Sequence, residues 1–285
     1  MNVREQGYLL LSSTLGVPGR KILSPAQLRN LAQRAVTLEP QPRELCYEDL
    51  IAIGCESAMA QRILGLLEDT QVLESYLQRA RSYGCTPITR VSEAYPLCLR
   101  KRMGLDSPGC LWAKGDLSLL RMSAVSLVGS RELGLLNGAF AAEVGEQAAK
   151  QGYVLVSGNA KGADRTAQES ALRHGGKVIS VVADALHRYP AQKDVLYLSE
   201  EGFDLGFSSR RALSRNRVIH SLGQMTLVAQ CTKGQGGTWD GSLRNLQNRY
   251  SPLYVLDDGS DGAEALLSLG ARPICGMQLN DFSIL

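Results

Sequence analysis

Three short glycine-rich segments contain the residue types that hold phosphate groups in proteins. They are VGSR at 128–131, SGNAKGADR at 157–165 and KGQGGTWDG at 233–241. Glycine lets backbone N–H groups approach an anion closely, and a helix N-terminus adds unpaired donors and the positive end of a dipole. The sequence therefore predicts a phosphate-binding cradle. For any one of these turns taken alone, the alternative to phosphate binding is a packing role, in which the glycine only allows a helix to lie close to a strand.

The candidate phosphate-binding residues of these turns are glycines, hydroxyl side chains and cations. They are Gly129, Ser130, Arg131, Ser157, Gly158, Lys161, Gly162, Arg165, Lys233, Gly236, Gly237 and Thr238. Trp239 and Tyr189 are candidate platforms for base stacking, because proteins that bind single strands combine a basic groove with aromatic faces. A packing role is the alternative for both aromatic side chains.

A fourth segment, SSRRALSRNRVIHSLG at 208–223, predicts a helix rich in positive charge. Four arginines fall within eight residues there, and no acidic residue is interleaved to neutralise them. They are Arg210, Arg211, Arg215 and Arg217. Since the arginine fork binds phosphate oxygens bidentately, Arg215 and Arg217 join the candidates, with Asn216 expected to hydrogen-bond the backbone of a neighbouring turn. The alternative is a basic surface helix or ion pairs inside the fold.

From about residue 86 the chain alternates short apolar runs with helical periods. The predicted strands are 123–128, 153–156, 177–182, 225–229 and 252–256, and the predicted helices are 135–151, 163–174, 211–222, 239–249 and 261–269. This alternation is typical of a doubly wound α/β domain with a mostly parallel, Rossmann-like sheet. We assign this domain to residues 85–285. Its ligand is expected at the carboxyl ends of the strands, where the three turns lie.

Residues 1–84 predict a small helical domain of the SAM or helix–hairpin–helix type. Ser24-Pro25 begins one helix, Pro40 and Pro42 interrupt the pattern, and Gly84 ends the last helix. The segment 49–64 resembles a helix–hairpin–helix, in which a glycine-rich turn contacts a DNA backbone. Only Gly54 stands in that turn, so a docking or dimer surface is the favoured alternative.

Composition narrows the class of protein. The net charge of +3 permits nucleic-acid binding but does not indicate it, because binding depends on where the positive charges lie on the surface. Seven cysteines without C-x-x-C spacing indicate reduced thiols and no metal site. Neither G-x-G-x-x-G nor G-x-x-x-x-G-K-[ST] is present, so no cofactor is expected. No apolar stretch approaches a membrane span, and the chain is expected to be soluble and cytoplasmic, with no membrane partner.

Taken in order, these motifs resemble the DNA-processing protein A (DprA/Smf) family. VGSR is followed by SG-x-A-x-G-x-D, then a YP pair, then RNR-[VI]-I ahead of a strand, then a Gly-Gly/Ser-Thr turn. The order and spacing match from Val128 to about Ala271. The segment 86–116 is similar to the family's lead-in.

The resemblance implies a protein without enzymatic activity that binds single-stranded DNA in a basic groove. It implies that this protein protects DNA in natural transformation or recombination, hands it to a RecA-type recombinase, and forms a homodimer. The turn residues and the RNR arginines would line the groove, and Asp164 would orient its turn. Replacing Arg215 and Arg217 together with alanine is then expected to weaken DNA binding without unfolding the protein.

Three features depart from the family pattern. Ala167-Gln168 stands where an Ala-His pair is common, and GQGGTWDG replaces the usual GS–TA turn. The family often carries a C-terminal winged-helix-like domain, and because this sequence ends soon after Pro273 we expect that domain to be absent. A shortened paralogue with another use for the groove is therefore the alternative.

Two other functions use a similar cradle, a nucleotide-binding sensor and a nucleoside-monophosphate phosphoribohydrolase. Such hydrolases carry a PGG-x-GT-x-x-E turn, and cleavage of the N-glycosidic bond needs a carboxylate held against the ribose. When Thr238 is aligned with that threonine, Gly241 falls at the glutamate position and Asp240 is one residue away. Asp164 and Asp184 are the remaining carboxylates expected near this edge. No Ser-His-Asp or Cys-His set is evident, and no catalytic residue is assigned.

Overall fold

The computed structural model describes residues 1–38 and 45–285, with the side chain of Met277 also left out. Within these described ranges, five helices precede the sheet: α1 (Val3–Ser12), α2 (Pro25–Ala35), α3 (Tyr47–Ala52), α4 (Ser57–Glu68) and α5 (Thr70–Ser82). Ser24 caps α2 with Pro25 in its first turn, as predicted. Gly84, at φ 69°, follows the end of α5 in the left-handed region that favours glycine. The interruption predicted at Pro40 and Pro42 lies outside the described residues.

The remainder of the chain alternates strands with helices. The strands are β1 (Thr86–Thr89), β2 (Cys110–Lys114), β3 (Ala124–Val128), β4 (Val154–Ser157), β5 (Lys177–Val181), β6 (Val195–Glu200), β7 (Thr226–Val228), β8 (Leu253–Leu256) and β9 (Arg272–Ile274). The helices are α6 (Leu97–Met103), α7 (Leu135–Lys150), α8 (Ala163–Arg173), α9 (Ser209–Leu222), α10 (Gly236–Asn248) and α11 (Asp261–Ser268).

The strands form one sheet in the order β1-β2-β6-β5-β4-β3-β7-β8-β9. In this spatial order, the last seven strands, from β6 at one end to β9 at the other, pair in parallel. Strands β1 and β2 add an antiparallel edge next to β6. The predicted doubly wound, mostly parallel sheet is confirmed. Strands β2, β6 and β9 were not among the strands predicted from the sequence, and β6 is buried at all six residues.

Two hydrophobic clusters cover the two faces of the sheet. One face packs against α7, α8 and the inner side of α1 and α5, through residues such as Leu9 and Tyr76. The other face packs against α6, α9, α10 and α11. A third cluster, around Leu50 and Ile63, is internal to the first helices. The predicted boundary between 84 and 85 falls between α5 and β1, but α5 shares its core with the sheet. None of the helices in the described ranges is long and apolar enough to cross a membrane.

The contact between α7 and α8 depends on a glycine. A Cβ atom at Gly145 would lie within 3.0 Å of the backbone nitrogen of Ala171 and of the carbonyl carbon of Ala167. At Gly138 on the same helix, such a Cβ would meet no described atom within 4 Å beyond the adjacent backbone of the helix itself. The two glycines therefore lie on the same helix, but only Gly138 has room for a side chain.

We expect Gly145→Ala to lower the free energy of unfolding by about 1–3 kcal/mol, because the methyl group meets backbone atoms of α8. Gly138→Ala is expected to raise it by about 0.5–1 kcal/mol, since alanine is the better helix former and nothing obstructs its methyl group. Urea unfolding of both variants measures the difference. A stabilising Gly145→Ala would contradict the close packing of these helices.

Candidate phosphate-binding site

The strand order reverses at β3, which is flanked by β4 on one side and β7 on the other. At the carboxyl ends of these strands lies a pocket of about 690 Å³. Open α/β sheets bind ligands at this position, because the connections leave the strand ends in opposite directions and open a crevice. The pocket is therefore the candidate site.

Eight of the predicted residues line this pocket. They are Gly129, Ser130, Arg131, Arg215, Asn216, Gly236, Gly237 and Thr238. The structure thus brings together the first turn, the third turn and the middle of the arginine helix, and Ala160 and Asp164 of the second turn line the pocket as well. The other predicted phosphate-binding residues do not line it: Ser157, Gly158, Lys161, Gly162, Arg165, Arg217 and Lys233.

Helix α10 presents its N-terminus to the pocket. It starts at Gly236, and Gln235 before it provides no side-chain cap. The Thr238 hydroxyl donates to the carbonyl of Gly129 at 2.9 Å, and the Asn216 side-chain amide donates to the carbonyl of Gly237 at 2.8 Å. The backbone contact predicted for Asn216 is confirmed. The Thr238 hydroxyl proton is already engaged, so backbone N–H groups are the donors that this turn offers to an anion.

The second glycine-rich turn is organised by Asp164, as expected. Its Oδ2 accepts hydrogen bonds from the backbone N–H groups of Gly158 and Ala160, both at 3.1 Å. Ser157 is fully buried, and its hydroxyl accepts a bond of 2.5 Å from the amide of Gln168. Ser157 and Gln168 therefore stabilise the base of this turn and do not reach the pocket.

Arg215 covers the same turn from α9. The space that a Cβ of Gly158 would fill is occupied by the Arg215 guanidinium. That guanidinium donates to the carbonyl of Val181 at 3.0 Å and lies 3.9 Å from Asp164 Oδ2. Burial raises the pKa of Asp164, and the positive charge of Arg215 opposes that change. Burial also lowers the pKa of Arg215. The pair fixes the second turn against α9.

Arg211 and Arg217 are engaged within the fold. Arg211 is buried and donates to acceptors on three segments: the carbonyls of Ala183, Glu200, Leu205 and Gly206 and the hydroxyl of Ser199. Arg217 forms an ion pair of 2.8 Å with Glu200 and donates to the carbonyl of Asp106. The alternative of internal ion pairs thus applies to much of this helix, and Arg217 lies outside the pocket lining.

The two predicted stacking residues have packing partners. Trp239 is 9% exposed within the core, and the ring of Tyr189 lies 4.9 Å from that of Tyr197. Among the described residues, the aromatic side chain that lines the pocket is Phe207, which is 59% exposed. No sequence pattern points to Phe207, because a single phenylalanine before a helix looks the same whether its ring is exposed or buried.

Several groups considered for hydrolytic chemistry are committed to structural contacts. Asp164 bonds to its own turn, and Asp184 accepts from the backbone N–H of Ala185 and pairs with Arg188. His220 is buried, and burial lowers its pKa to about 3, so it is a neutral core residue at physiological pH. Asp240 is exposed and lines the pocket.

The hairpin between α3 and α4 uses its own backbone donors. The N–H of Gly54 bonds to the carbonyl of Ile51 at 2.8 Å, and the N–H of Cys55 bonds to that of Leu50 at 2.9 Å. The Arg34 guanidinium covers the carbonyl of Gly54. The backbone N–H groups of the turn and the carbonyl of Gly54 thus have hydrogen-bond partners within the helical region. This favours a packing role over a DNA contact at Gly54.

Fold and pocket together define a Rossmann-like α/β protein whose site lies at the switch point of the sheet. The family model described as DNA recombination-mediator protein A matches residues 86–282. The chain belongs to this family, as the motif order predicts.

Similar proteins agree with this assignment. A curated relative from Streptococcus pneumoniae, DNA processing protein DprA, is 34% identical over 61% of this chain and 66% of its own length. The match thus spans just under two thirds of that relative. The Bacillus subtilis protein of the same name is 28% identical over 72% of this chain and 71% of its length. The solved structure of DNA processing protein A from Streptococcus pneumoniae superposes with a TM-score of 0.74 at 25% identity, covering 98% of this chain and 97% of that one.

The placement of Arg217 changes what its removal is expected to do. In Arg217→Ala, Glu200 stays buried without its ion-pair partner, and we expect the free energy of unfolding to fall by about 3 kcal/mol. Arg210→Ala is the matched control, because Arg210 is on the same helix, and its 3.5 Å pair with Glu201 is exposed. The control is expected to cost less than about 1 kcal/mol. The double replacement of Arg215 and Arg217 is therefore expected to destabilise the fold, contrary to the expectation from sequence.

The loss of unfolding free energy in Arg217→Ala is expected to depend on pH. Burial raises the pKa of Glu200, and Arg217 opposes that change in the native protein. The pKa of Glu200 is already raised with Arg217 present, and removal of Arg217 raises it further. A raised folded pKa means that stability falls as pH rises through that pKa, and this fall is larger in the variant. Urea unfolding at about pH 5 and about pH 7.5 should show the larger deficit at the higher pH. Equal losses of stability at the two pH values would contradict stabilisation of the buried Glu200 carboxylate by Arg217.

Proposed function

We propose that this protein binds single-stranded DNA at the switch-point pocket and has no enzymatic activity. Its role would be to protect DNA during natural transformation or recombination in the cytoplasm, and to pass the strand to a RecA-type recombinase as a homodimer. The observation that carries the proposal is the convergence, in one pocket, of the N-terminus of α10, the glycine turn after β3 and the exposed Arg131.

The donors in the pocket suit a phosphate group. A helix N-terminus offers backbone N–H groups and a positive dipole end, and Arg131 adds a guanidinium that can bind two phosphate oxygens. Glu132 and Asp240 also line the pocket and are exposed. The site is therefore not uniformly positive, and directed donors would hold the phosphate rather than a large net charge.

The remaining candidate cations suit further phosphates of the same strand. Lys161, Arg165 and Lys233 are exposed on the turns at the same edge of the sheet, outside the pocket. A polyanion longer than one nucleotide could contact them while one phosphate occupies the pocket. Phe207 supplies an exposed ring at the pocket, where bases could stack.

Membership of the family supports the proposal. Two relatives carry the name DNA processing protein DprA. A Helicobacter pylori member solved for its single-stranded DNA binding mode has a TM-score of 0.59 at 24% identity, and at that identity it supports the fold alone. The DNA-binding proposal therefore depends on the family and the geometry of the pocket.

We expect Arg131→Ala to weaken binding to labelled dT oligonucleotides about tenfold, because one charge-assisted phosphate contact is lost. The slope of log affinity against log salt should fall by about 0.7, the value for one phosphate of a single strand. Fluorescence anisotropy over a series of oligonucleotide lengths and salt concentrations measures both quantities.

Arg121→Ala is the matched control for this experiment. Arg121 is exposed and precedes β3, so it lies at the opposite edge of the sheet and its loss changes the net charge equally. Its affinity should match that of the native protein. Tight binding of one mononucleotide without dependence on length would instead indicate a nucleotide sensor. Release of free base from a nucleoside monophosphate would indicate a hydrolase.

A further inference from the structure

The segment between β6 and α9, residues 201–208, reaches the pocket and is called the β6–α9 loop below. Its Phe207 lines the pocket and is 59% exposed, and Ser209 at the start of α9 lines it as well. The position of this loop therefore sets the shape of one wall of the pocket.

Helix α5 holds the loop through one carboxylate. The Tyr76 hydroxyl donates to Asp204 Oδ1 at 2.7 Å, and Arg79 forms an ion pair with Asp204 Oδ2. The Arg79 guanidinium also lies 5.4 Å from the centre of the Tyr76 ring and 5.6 Å from that of Phe203. Helix α5 and the loop are thus joined by charge, hydrogen bond and ring contact.

The aromatic packing beneath Asp204 is close. Phe203 is fully buried, with its ring centre 4.9 Å from that of Tyr76 and 5.3 Å from that of Trp112 on β2. A Cβ at Gly202 would lie 2.9 Å from the Tyr76 hydroxyl oxygen, and one at Gly16 would lie 3.2 Å from Asp204 Oδ2. Little space is left for the loop to shift while these contacts persist.

Arg211 fixes the loop from the side of α9. Its guanidinium donates to the carbonyls of Leu205 and Gly206, the two residues that immediately precede Phe207. The loop is therefore held at Asp204 by the helical region and at Leu205 and Gly206 by α9. Phe207 follows directly from these two attachments.

We infer that Tyr76 and Arg79 are positioning residues for the DNA pocket. By holding Asp204 they keep the β6–α9 loop, and with it Phe207 and the first turn of α9, in the arrangement that receives the strand. The inference rests on the proposed function. It gives the helical region of residues 1–84 a role in DNA affinity that requires no contact between these helices and DNA.

The test uses the full chain with Tyr76→Phe combined with Arg79→Ala. Arg81→Ala is the matched control. Arg81 is exposed in the same last turn of α5, and its replacement by alanine removes the same charge as Arg79→Ala. Asp204→Asn is the second variant, which removes the ion pair while leaving all residues of α5 intact. Hydrogen exchange of residues 201–208, thermal unfolding and anisotropy with dT oligonucleotides are measured for each protein.

We expect faster exchange in the β6–α9 loop for the double variant and for Asp204→Asn. If the loop then keeps its receptive arrangement about a fifth of the time, the Kd rises about fivefold. The salt slope should stay unchanged, because no phosphate contact is removed. Arg81→Ala should alter neither the exchange nor the affinity.

Other outcomes overturn the inference. Unchanged affinity in spite of faster loop exchange would show that the loop position does not matter for binding. An equal loss in Arg81→Ala would show a general charge effect, and an affinity loss that occurs only with global unfolding in both variants would show a purely structural role. A native protein that binds no oligonucleotide would instead defeat the proposed function, and it would do so before any variant is compared.

Discussion

The close approach of backbone segments at the carboxyl edge of the sheet is the constraint on which the rest of this structure depends. A Cβ at Gly129 would lie 2.5 Å from the Cβ of Ala163, and one at Gly162 would lie closer than 3 Å to the carbonyls of Ser130 and Arg131. Gly162 also has a φ of 85°, in the region that side chains disfavour. Because these positions lack side chains, the first two turns pack against each other and leave the crevice beside β3 open toward α10.

That crowded edge also explains the arginine helix. The carbonyl groups at the ends of β5 and β6 and in the following loops need donors once α9 covers them. Arg211 and Arg215 supply these donors, including bonds to the carbonyls of Val181 and Ala183. A guanidinium has five N–H donors in a fixed plane, so one side chain can satisfy several carbonyls at once. Positive charge that suggests a polyanion site in the sequence is thus partly used to hold the strand ends together.

The pocket consequently derives its capacity for anions from a few directed groups. The N-terminus of α10 and Arg131 face it, while Glu132 and Asp240 moderate the local charge. The helical region is tied to the same edge through Asp204, which Tyr76 and Arg79 hold from α5. The fold therefore connects residues far apart in the chain to one wall of the site, and the modest net charge of +3 is compatible with a site built on geometry.

The sequence by itself determined the alternation of strands and helices, the three glycine-rich turns and the family. These are local properties, since periodicity, capping residues and turn glycines act over a few positions. Tertiary structure alone decided which charged residues are free. Arg217 bonds to Asp106, which is 111 positions away, and Tyr76 bonds to Asp204, which is 128 positions away. An arginine in a sequence looks the same whether it will face solvent or a buried carboxylate, because its partner is chosen by packing between distant segments.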